Sequence, residues 1–303
     1  MTPIRTARPG LSLAFATVLA IGMLAVGPTA FAAGPTTVGL GTAAAFAVLA
    51  GTPAITNTGA STITGDVGIH PAAAVTGFPP GIVNGTIHAA DAVALQAKSD
   101  LVVAYDDAAG RTPATAVAGG TLGGLTLVGG VYNAGGVTLA LTGTLTLDGQ
   151  NDPNSVWIFQ ATSDLVTASS STVAFINGAQ PCNVFWQVTS SATLGSGSTF
   201  AGTILALTSI TMASGVAMNG RALARNGDVT LINDSITRST CAAPAPTAGP
   251  TGSPTVAASV PPTDTPATSS GRRSDPTPFV VVAFVAVLVI AASRWSFLPI
   301  RRR

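Results

Sequence analysis

The sequence predicts a mainly β fold: a β-solenoid of triangular section with one long α-helix packed along one face, followed by a C-terminal transmembrane helix. Short alternating segments recur, with 18 residues from Thr193 to Thr211 and 19 from Thr211 to Thr230. One segment, 89–109, has the apolar spacing of a helix, and its apolar side is predicted to contain Val93, Leu95, Leu101, Val102 and Tyr105. An uncharged apolar run, 279–293, lies close to the C-terminus and predicts a membrane span.

Each repeat holds three short strands, which is typical of one coil of a solenoid. The first strands of the repeats are 156–160, 184–188, 203–207 and 221–225. The second strands are 165–167, 192–194, 210–212 and 229–231. The third strands are 172–174, 199–201, 217–219 and 235–237.

Alternation along a strand divides its side chains between the inside and the outside. The first strands are apolar on both sides, so that face must be covered, and the helix at 89–109 is available to cover it. On the second face the residues predicted to point outward, or to flank those that do, are Thr138, Ala140, Ser191, Thr193, Ser209, Thr211 and Thr230, with Thr56 and Thr58 as a candidate extension. The third face is less regular, with Thr172, Thr199, Ala217, Ser235 and Thr237 outward.

The second face therefore carries threonines in register. Threonine is common on exposed sheets because of its β-propensity, and that explanation stays open. Exposed sheets usually also carry charged residues for solubility. Lys98 is the only lysine of the chain and glutamate is absent, so a grid of hydroxyls and methyls without such charges favours a binding surface.

The two ends of the chain predict export and anchoring. Residues 1–32 have the basic, apolar and small-residue regions of a signal peptide cleaved after Ala32, although an uncleaved anchor would have a similar pattern. After the solenoid domain at 33–241, residues 242–277 form a Pro/Thr/Ser-rich linker. Residues 278–300 form the predicted membrane anchor, and the three arginines at 301–303 favour a cytoplasmic tail. The domain is then expected on the outer side of the cell membrane.

The composition leaves little material for chemistry. Charged residues make up 8% of the chain, so the basic face of a nucleic-acid-binding protein is absent. No Cys or His pair has zinc-site spacing, and Asp148, Asp152 and Asp164 are predicted to lie in turns. No carboxylates cluster on the threonine-bearing strands, so neither a metal, a cofactor nor an enzyme activity is expected. In an exported protein, Cys182 and Cys241 are predicted to form a disulfide, with two free thiols as the alternative.

Segments 144–160, 181–211 and 220–231 resemble the microbial ice-binding (antifreeze) protein family, and 64–78 resembles its N-terminal region. The resemblance implies an exported, discontinuous right-handed β-solenoid whose first coil stacks on coils made late in the chain. It also implies that the flat face of the second strands binds ice. Val166 departs from that pattern by interrupting the hydroxyl column, and Asp228 is a charged neighbour.

Together these features predict a monomeric, surface-anchored protein that adsorbs to ice. It would inhibit ice growth or recrystallisation, or attach the cell to ice. The alternative is a cell-surface adhesin that binds a polysaccharide or a protein partner through the same scaffold.

Overall fold

The computed structural model describes residues 34–242. The predicted signal peptide, membrane anchor and basic tail lie outside these residues, as does the linker after Ala242. Within 34–242, no helix is long and apolar enough to cross a membrane. The strands are β1 (Phe46–Ala50), β2 (Ala54–Thr58), β3 (Thr62–Thr64), β4 (Asp66–Ile69), β5 (Ala74–Thr76), β6 (Ile82–Asn84), β7 (Ile87–Ala89), β8 (Thr115–Ala116), β9 (Thr126–Val128), β10 (Gly130–Asn133), β11 (Leu139–Leu141), β12 (Thr144–Asp148), β13 (Trp157–Ala161), β14 (Leu165–Thr167), β15 (Thr172–Ile176), β16 (Val184–Val188), β17 (Ala192–Leu194), β18 (Thr199–Ala206), β19 (Ile210–Met212), β20 (Ala217–Ala224), β21 (Val229–Ile232) and β22 (Ser235–Thr237). The α-helix is α1 (Ala92–Gly110), and short 3-10 helices span Gly41–Ala45, Ala118–Gly120 and Pro181–Asn183.

The strands stack into three columns of parallel pairs. The helix face runs β8, β10, β13, β16, β18, β20, β1, β4, β7. The threonine face runs β11, β14, β17, β19, β21, β2, β5. The third face runs β9, β12, β15, β18, β20, β22, β3, β6. The long strands β18 and β20 bend round the corner between the third face and the helix face, so these two faces form one sheet.

The stack does not follow chain order. The N-terminal strands lie beside the last coil, with Val48 opposite Ala222, Thr56 opposite Thr230 and Ile63 opposite Ile236. The chain then returns along the stack through α1 before it builds the remaining coils. The discontinuous arrangement expected from the resemblance is therefore present.

Two apolar clusters hold the coils. The interior cluster contains Trp157, Phe159 and Trp186, and the Phe159 and Trp186 rings stack with centroids 4.2 Å apart. The second cluster lies under α1 and contains Ile158 and Phe185 from the same strands. Each such side chain contributes about 1.5–3 kcal/mol by burial. The prediction that the first strands are apolar on both sides because both sides are covered is thus confirmed.

The helix begins at Ala92, three residues after the predicted start, because Asp91 caps it by accepting a hydrogen bond from the Ala94 N–H at 2.8 Å. The sequence reasoning expected Val93 and Leu95 on the packed side, and this was wrong, since they are 49% and 51% exposed. The packed side is instead a row of small residues spaced three or four apart, with three larger ones among the buried residues: Ala94, Ala97, Lys98, Leu101, Ala104, Tyr105 and Ala108. Small side chains let the helix approach the sheet closely. A prediction based on the size of the apolar side chains therefore chose the wrong side of the helix.

Candidate functional site

The threonine face is built around one central column, in which one outward residue of each coil lies opposite the next. The column reads, in order along the stack, Thr121, Ala140, Val166, Thr193, Thr211, Thr230, Thr56 and Thr76. Eight positions at a strand spacing of about 4.8 Å give a column roughly 34 Å long. Five consecutive members, from Thr193 to Thr76, are threonines.

Alternation keeps this column outside. Its strand neighbours Ile210 and Met212 are fully buried on either side of exposed Thr211, and Ala192 and Leu194 bracket Thr193 in the same way. Val166 is 40% exposed, whereas Ala140 and Thr230 are half-buried. The column is therefore held from below by well-packed side chains, and its own β-branched residues have few rotamers.

One flank of the column lies two residues before each central position. It contains Thr138, Asp164, Ser191, Ser209, Asp228, Ala54 and Ala74, and backbone bonds such as Leu139 N to Asp164 O link its coils. The Ser191 and Thr208 hydroxyls are 2.6 Å apart, so Ser191 is partly engaged within the protein. Thr230 donates a 3.5 Å hydrogen bond to Asp228, which turns that hydroxyl sideways.

Asp164 is a charged member of this flank that the sequence reasoning assigned only to a turn. The Ser190 hydroxyl, followed by the Ser191 backbone N–H, lowers the pKa of the Asp164 carboxyl. Asp164 is therefore ionised at neutral pH, and the flank carries it together with Asp228. The uncharged part of the surface is the central column and its other flank.

That other flank lies two residues after each central position. Its members are small or apolar, namely Thr142, Ala168, Gly195, Ala213, Ile232 and Thr58. Thr58 lies opposite Ile232, so of the two candidate extension residues Thr56 belongs to the central column and Thr58 to this flank.

Two central residues were missed by sequence reasoning. Thr76 ends the short strand β5, and it pairs with Thr56. Thr121 lies beside Ala140 in a glycine-rich segment, outside any regular strand. The alternation Ala74-Val75-Thr76 was a usable signal for the first, whereas nothing around Thr121 repeats the strand pattern.

The third face also has hydroxyls in register but is not flat. Strands β15 and β18 pair only between Thr172 and Thr199. Beyond that pair they diverge and leave a groove of about 470 Å³, lined in part by Phe175, Pro181 and Asn219. A groove in the middle of a face prevents contact with a planar surface, so the threonine face is the better planar site.

The chemistry of the described residues agrees with a binding surface. Between residues 34 and 242, no three His, Cys, Asp or Glu side chains lie close enough to hold a metal ion. His88 contacts Asp91 at 2.7 Å beside the start of α1 and takes part in its N-terminal structure. What the threonine face can offer a ligand is a rigid, repeated array of hydroxyls and methyls.

Comparisons with known proteins agree with this geometry. Residues 48–237 match the family described as Ice-binding-like. The chain is 52% identical over 193 residues to an ice-binding protein of Nostoc sp. (strain HG1), covering 63% of this chain and 71% of that protein. It is 38% identical over 217 residues to an ice-binding protein of Flavobacterium frigoris (strain PS1), covering 66% of this chain and 76% of that one.

Solved structures of ice-binding proteins have the same fold. One from an Antarctic biological consortium is 43% identical with a TM-score of 0.66, covering 69% of this chain and 95% of that one. One from the Antarctic ascomycete Antarctomyces psychrotrophicus is 40% identical with a TM-score of 0.64, covering 68% of this chain and 100% of that one. The chain therefore belongs to the ice-binding protein family.

Proposed function

We propose that this protein binds ice through its threonine face. The observation that carries the proposal is the central column, in which Thr193, Thr211, Thr230, Thr56 and Thr76 follow one another in register. A repeated array of hydroxyls with methyls between them can hold water in an ice-like layer. That layer then joins the crystal, and ice growth stops where the protein is bound.

Rigidity supports the proposal. A surface that is already ordered loses little conformational entropy on binding, so many weak contacts can add up. The corners beside the threonine face are fixed by buried hydroxyls: Ser171 donates to Leu141 O at 2.9 Å, and Ser198 donates to Gly195 O at 2.6 Å. The face therefore presents its side chains at fixed spacing.

The two carboxylates limit the extent of the proposed site. Asp164 and Asp228 hold their own hydration shells on one flank, and ordered ice-like water must compete with those shells. We therefore assign ice contact mainly to the central column and to the small-residue flank that contains Ala168, Gly195 and Ala213. Ser191, Ser209 and Thr138 contribute at the margin.

We also propose how the fold is wound and where it works. The coils wind right-handed around a triangular section, as parallel crossover connections normally do. Residues 1–32 direct export, and residues 278–300 anchor the chain after the linker. The domain then works as a monomer outside the membrane, holding the cell to ice or modifying ice at the envelope. Protease treatment of intact cells would release the domain if this is right, and would leave it intact if the domain lies inside.

A second candidate is an adhesin that binds a neutral glycan. The groove on the third face favours it, because its lining is uncharged and includes Phe175 and Asn219. Phe175→Ala would then abolish retention on a polysaccharide resin and leave ice binding unchanged.

Inhibition of ice recrystallisation tests the main proposal against the second one. We expect the protein to keep ice grains small at micromolar concentration and to show no retention on neutral polysaccharide resins. Retention on such a resin, with ice grains that grow as fast as in buffer, would favour the adhesin instead.

A further inference from the structure

The chain leaves the solenoid through a short segment, residues 239–242, that is attached at three points. Arg221 donates to the Ser239 hydroxyl at 3.2 Å and to the Ser239 carbonyl at 3.1 Å. The Gln180 side-chain amide accepts a hydrogen bond from Ala242 N–H at 2.7 Å and donates to Ala242 O at 3.4 Å. Cys241 is bonded to Cys182. We call these residues together the exit clamp.

The exit clamp fastens the chain end to the middle of the stack. Cys182 lies two residues before β16, which is two coils away from β22 in the stacking order. Gln180 and Asn183 both donate to the Pro153 carbonyl at 3.0 Å, which ties the same point to the loop before β13. Residues 239–242 are thus held by coils made some 60 residues earlier in the chain.

Arg221 shows that this attachment is not incidental packing. Arg221 is only 7% exposed. Among residues 34–242, no carboxylate lies within ion-pair distance of its guanidinium group. Burial, with Arg238 nearby, lowers the pKa of Arg221 to about 10. A buried cation without a counter-ion costs stability. The same guanidinium group donates to the Ala44 carbonyl and to the Ser239 hydroxyl, and so it links two segments of the chain.

The disulfide closes a loop that contains the centre of the candidate site. Residues 183–240 lie inside this loop, and they carry Thr193, Thr211 and Thr230. The loop also contains the coil that joins the two halves of the discontinuous stack, since β21 pairs with β2 and β22 pairs with β3. If tension acted on β22 directly, this three-residue strand and then β21 would be drawn out, and the threonine column would be split between Thr211 and Thr56.

We propose that the exit clamp carries the load of the tether, so that tension applied beyond Ala242 enters the fold at Cys182 and does not draw residues 183–240 out of the stack from β22. The inference rests on the proposed anchoring of an ice-binding domain. It assigns the disulfide a mechanical role in keeping the threonine face whole while the anchored cell is pulled away from ice.

Single-molecule stretching of the full chain tests the load path without ice. One tag is inserted between Gly135 and Gly136, in an exposed loop, and the other follows the C-terminus. In the wild-type chain we expect unfolding to release about 200 Å less than the full length, because 58 residues at about 3.5 Å each stay closed. In the C182A/C241A variant we expect β22 and β21 to be extracted first, at less than half the force of the first wild-type event.

Reduction of folded wild-type chain under tension gives the same comparison if the double variant does not fold, because Cys241 is exposed to reductant. Gln180→Ala in the reduced background should lower the first force again. The matched control Gln96→Ala, which removes an exposed amide on α1, should not. Equal first forces with and without the disulfide, or free thiols in the wild-type chain, would overturn the load path.

Attachment to ice then links the load path to function. With the full chain adsorbed on an ice surface and pulled by its C-terminus, we expect the wild-type chain to stay attached at least ten times longer than the C182A/C241A variant at the same force. Equal lifetimes under force would overturn the inference. Failure of both proteins to adsorb at zero force would instead contradict the proposed ice binding, and the stretching result would stand by itself.

Discussion

Replacing Thr211 with tyrosine tests the threonine face at its centre. Thr211 is the fifth of eight residues in the central column, and it is exposed between Thr193 and Thr230. A tyrosine ring there stands well above the plane of the threonine methyls. It should hold a flat crystal surface away from at least two coils on each side, since neighbouring coils are only about 4.8 Å apart.

The loss can be worked out from the structure. The five coils that lose contact carry Val166, Thr193, Thr211, Thr230 and Thr56, each with at least one outward methyl. At about 0.8 kcal/mol for each methyl removed from contact, the loss is about 4 kcal/mol. Since about 1.4 kcal/mol corresponds to a factor of ten, dissociation from ice should become roughly a thousandfold faster.

The assay is thermal hysteresis together with the lifetime of fluorescent protein on a growing crystal. Thr199→Tyr is the matched control, because Thr199 is also an exposed central threonine of a parallel column, but on the third face. Both variants should keep the β circular dichroism spectrum, and only Thr211→Tyr should lose activity. Full activity of Thr211→Tyr, or equal loss in both variants, would refute the assignment of the face.

Three further outcomes follow from the same structure. Val166→Thr restores a hydroxyl to the central column, and thermal hysteresis should rise up to about twofold, whereas an unchanged value would mean that methyls alone matter. Burial, followed by the charge of Arg225, lowers the pKa of Lys98 from 10.5 to about 8 in the folded protein. Above pH 8 the unfolded chain therefore keeps a proton on Lys98 that the folded protein has lost. The free energy of unfolding, measured by urea titration, should rise by about 2 kcal/mol from pH 7 to 9.5. That rise should vanish in Lys98→Met, and its persistence there would assign it to another group. The disulfide joins cysteines 59 residues apart, and its removal should lower the free energy of unfolding by about 4 kcal/mol in the same titrations. A change below about 1 kcal/mol would show that the loop is already ordered in the unfolded chain.

Much of the fold could be predicted because the coils repeat. The 18- and 19-residue spacings place Thr193, Thr211 and Thr230 in one column, and the structure pairs them in that register. Thr56 could be suggested only as an extension, since it comes from the N-terminal part of the chain. Its place beside Thr230 follows from how the coils close, a long-range pairing that no local pattern specifies.

The parts that escaped prediction are those where local pattern and packing disagree. Val93 and Leu95 are apolar, yet the helix packs through a row of alanines together with Leu101 and Tyr105, because the small side chains let it lie close to the sheet. Thr121 has no strand pattern around it and takes its place by contact with Ala140. Asp164 looked like a turn residue, although it lies two residues before Val166, and its backbone bond to Leu139 shows that it belongs to the flank.

Incorporation into ice tests the central claim most directly. The chain from residue 33 to the end of the linker at 277, fused to a fluorescent protein, is present while an ice hemisphere grows slowly. The account predicts that the folded wild-type fusion enters the ice, that the Thr199→Tyr fusion enters equally, and that the Thr211→Tyr fusion is excluded. Exclusion of the folded wild-type fusion would contradict ice binding by this protein.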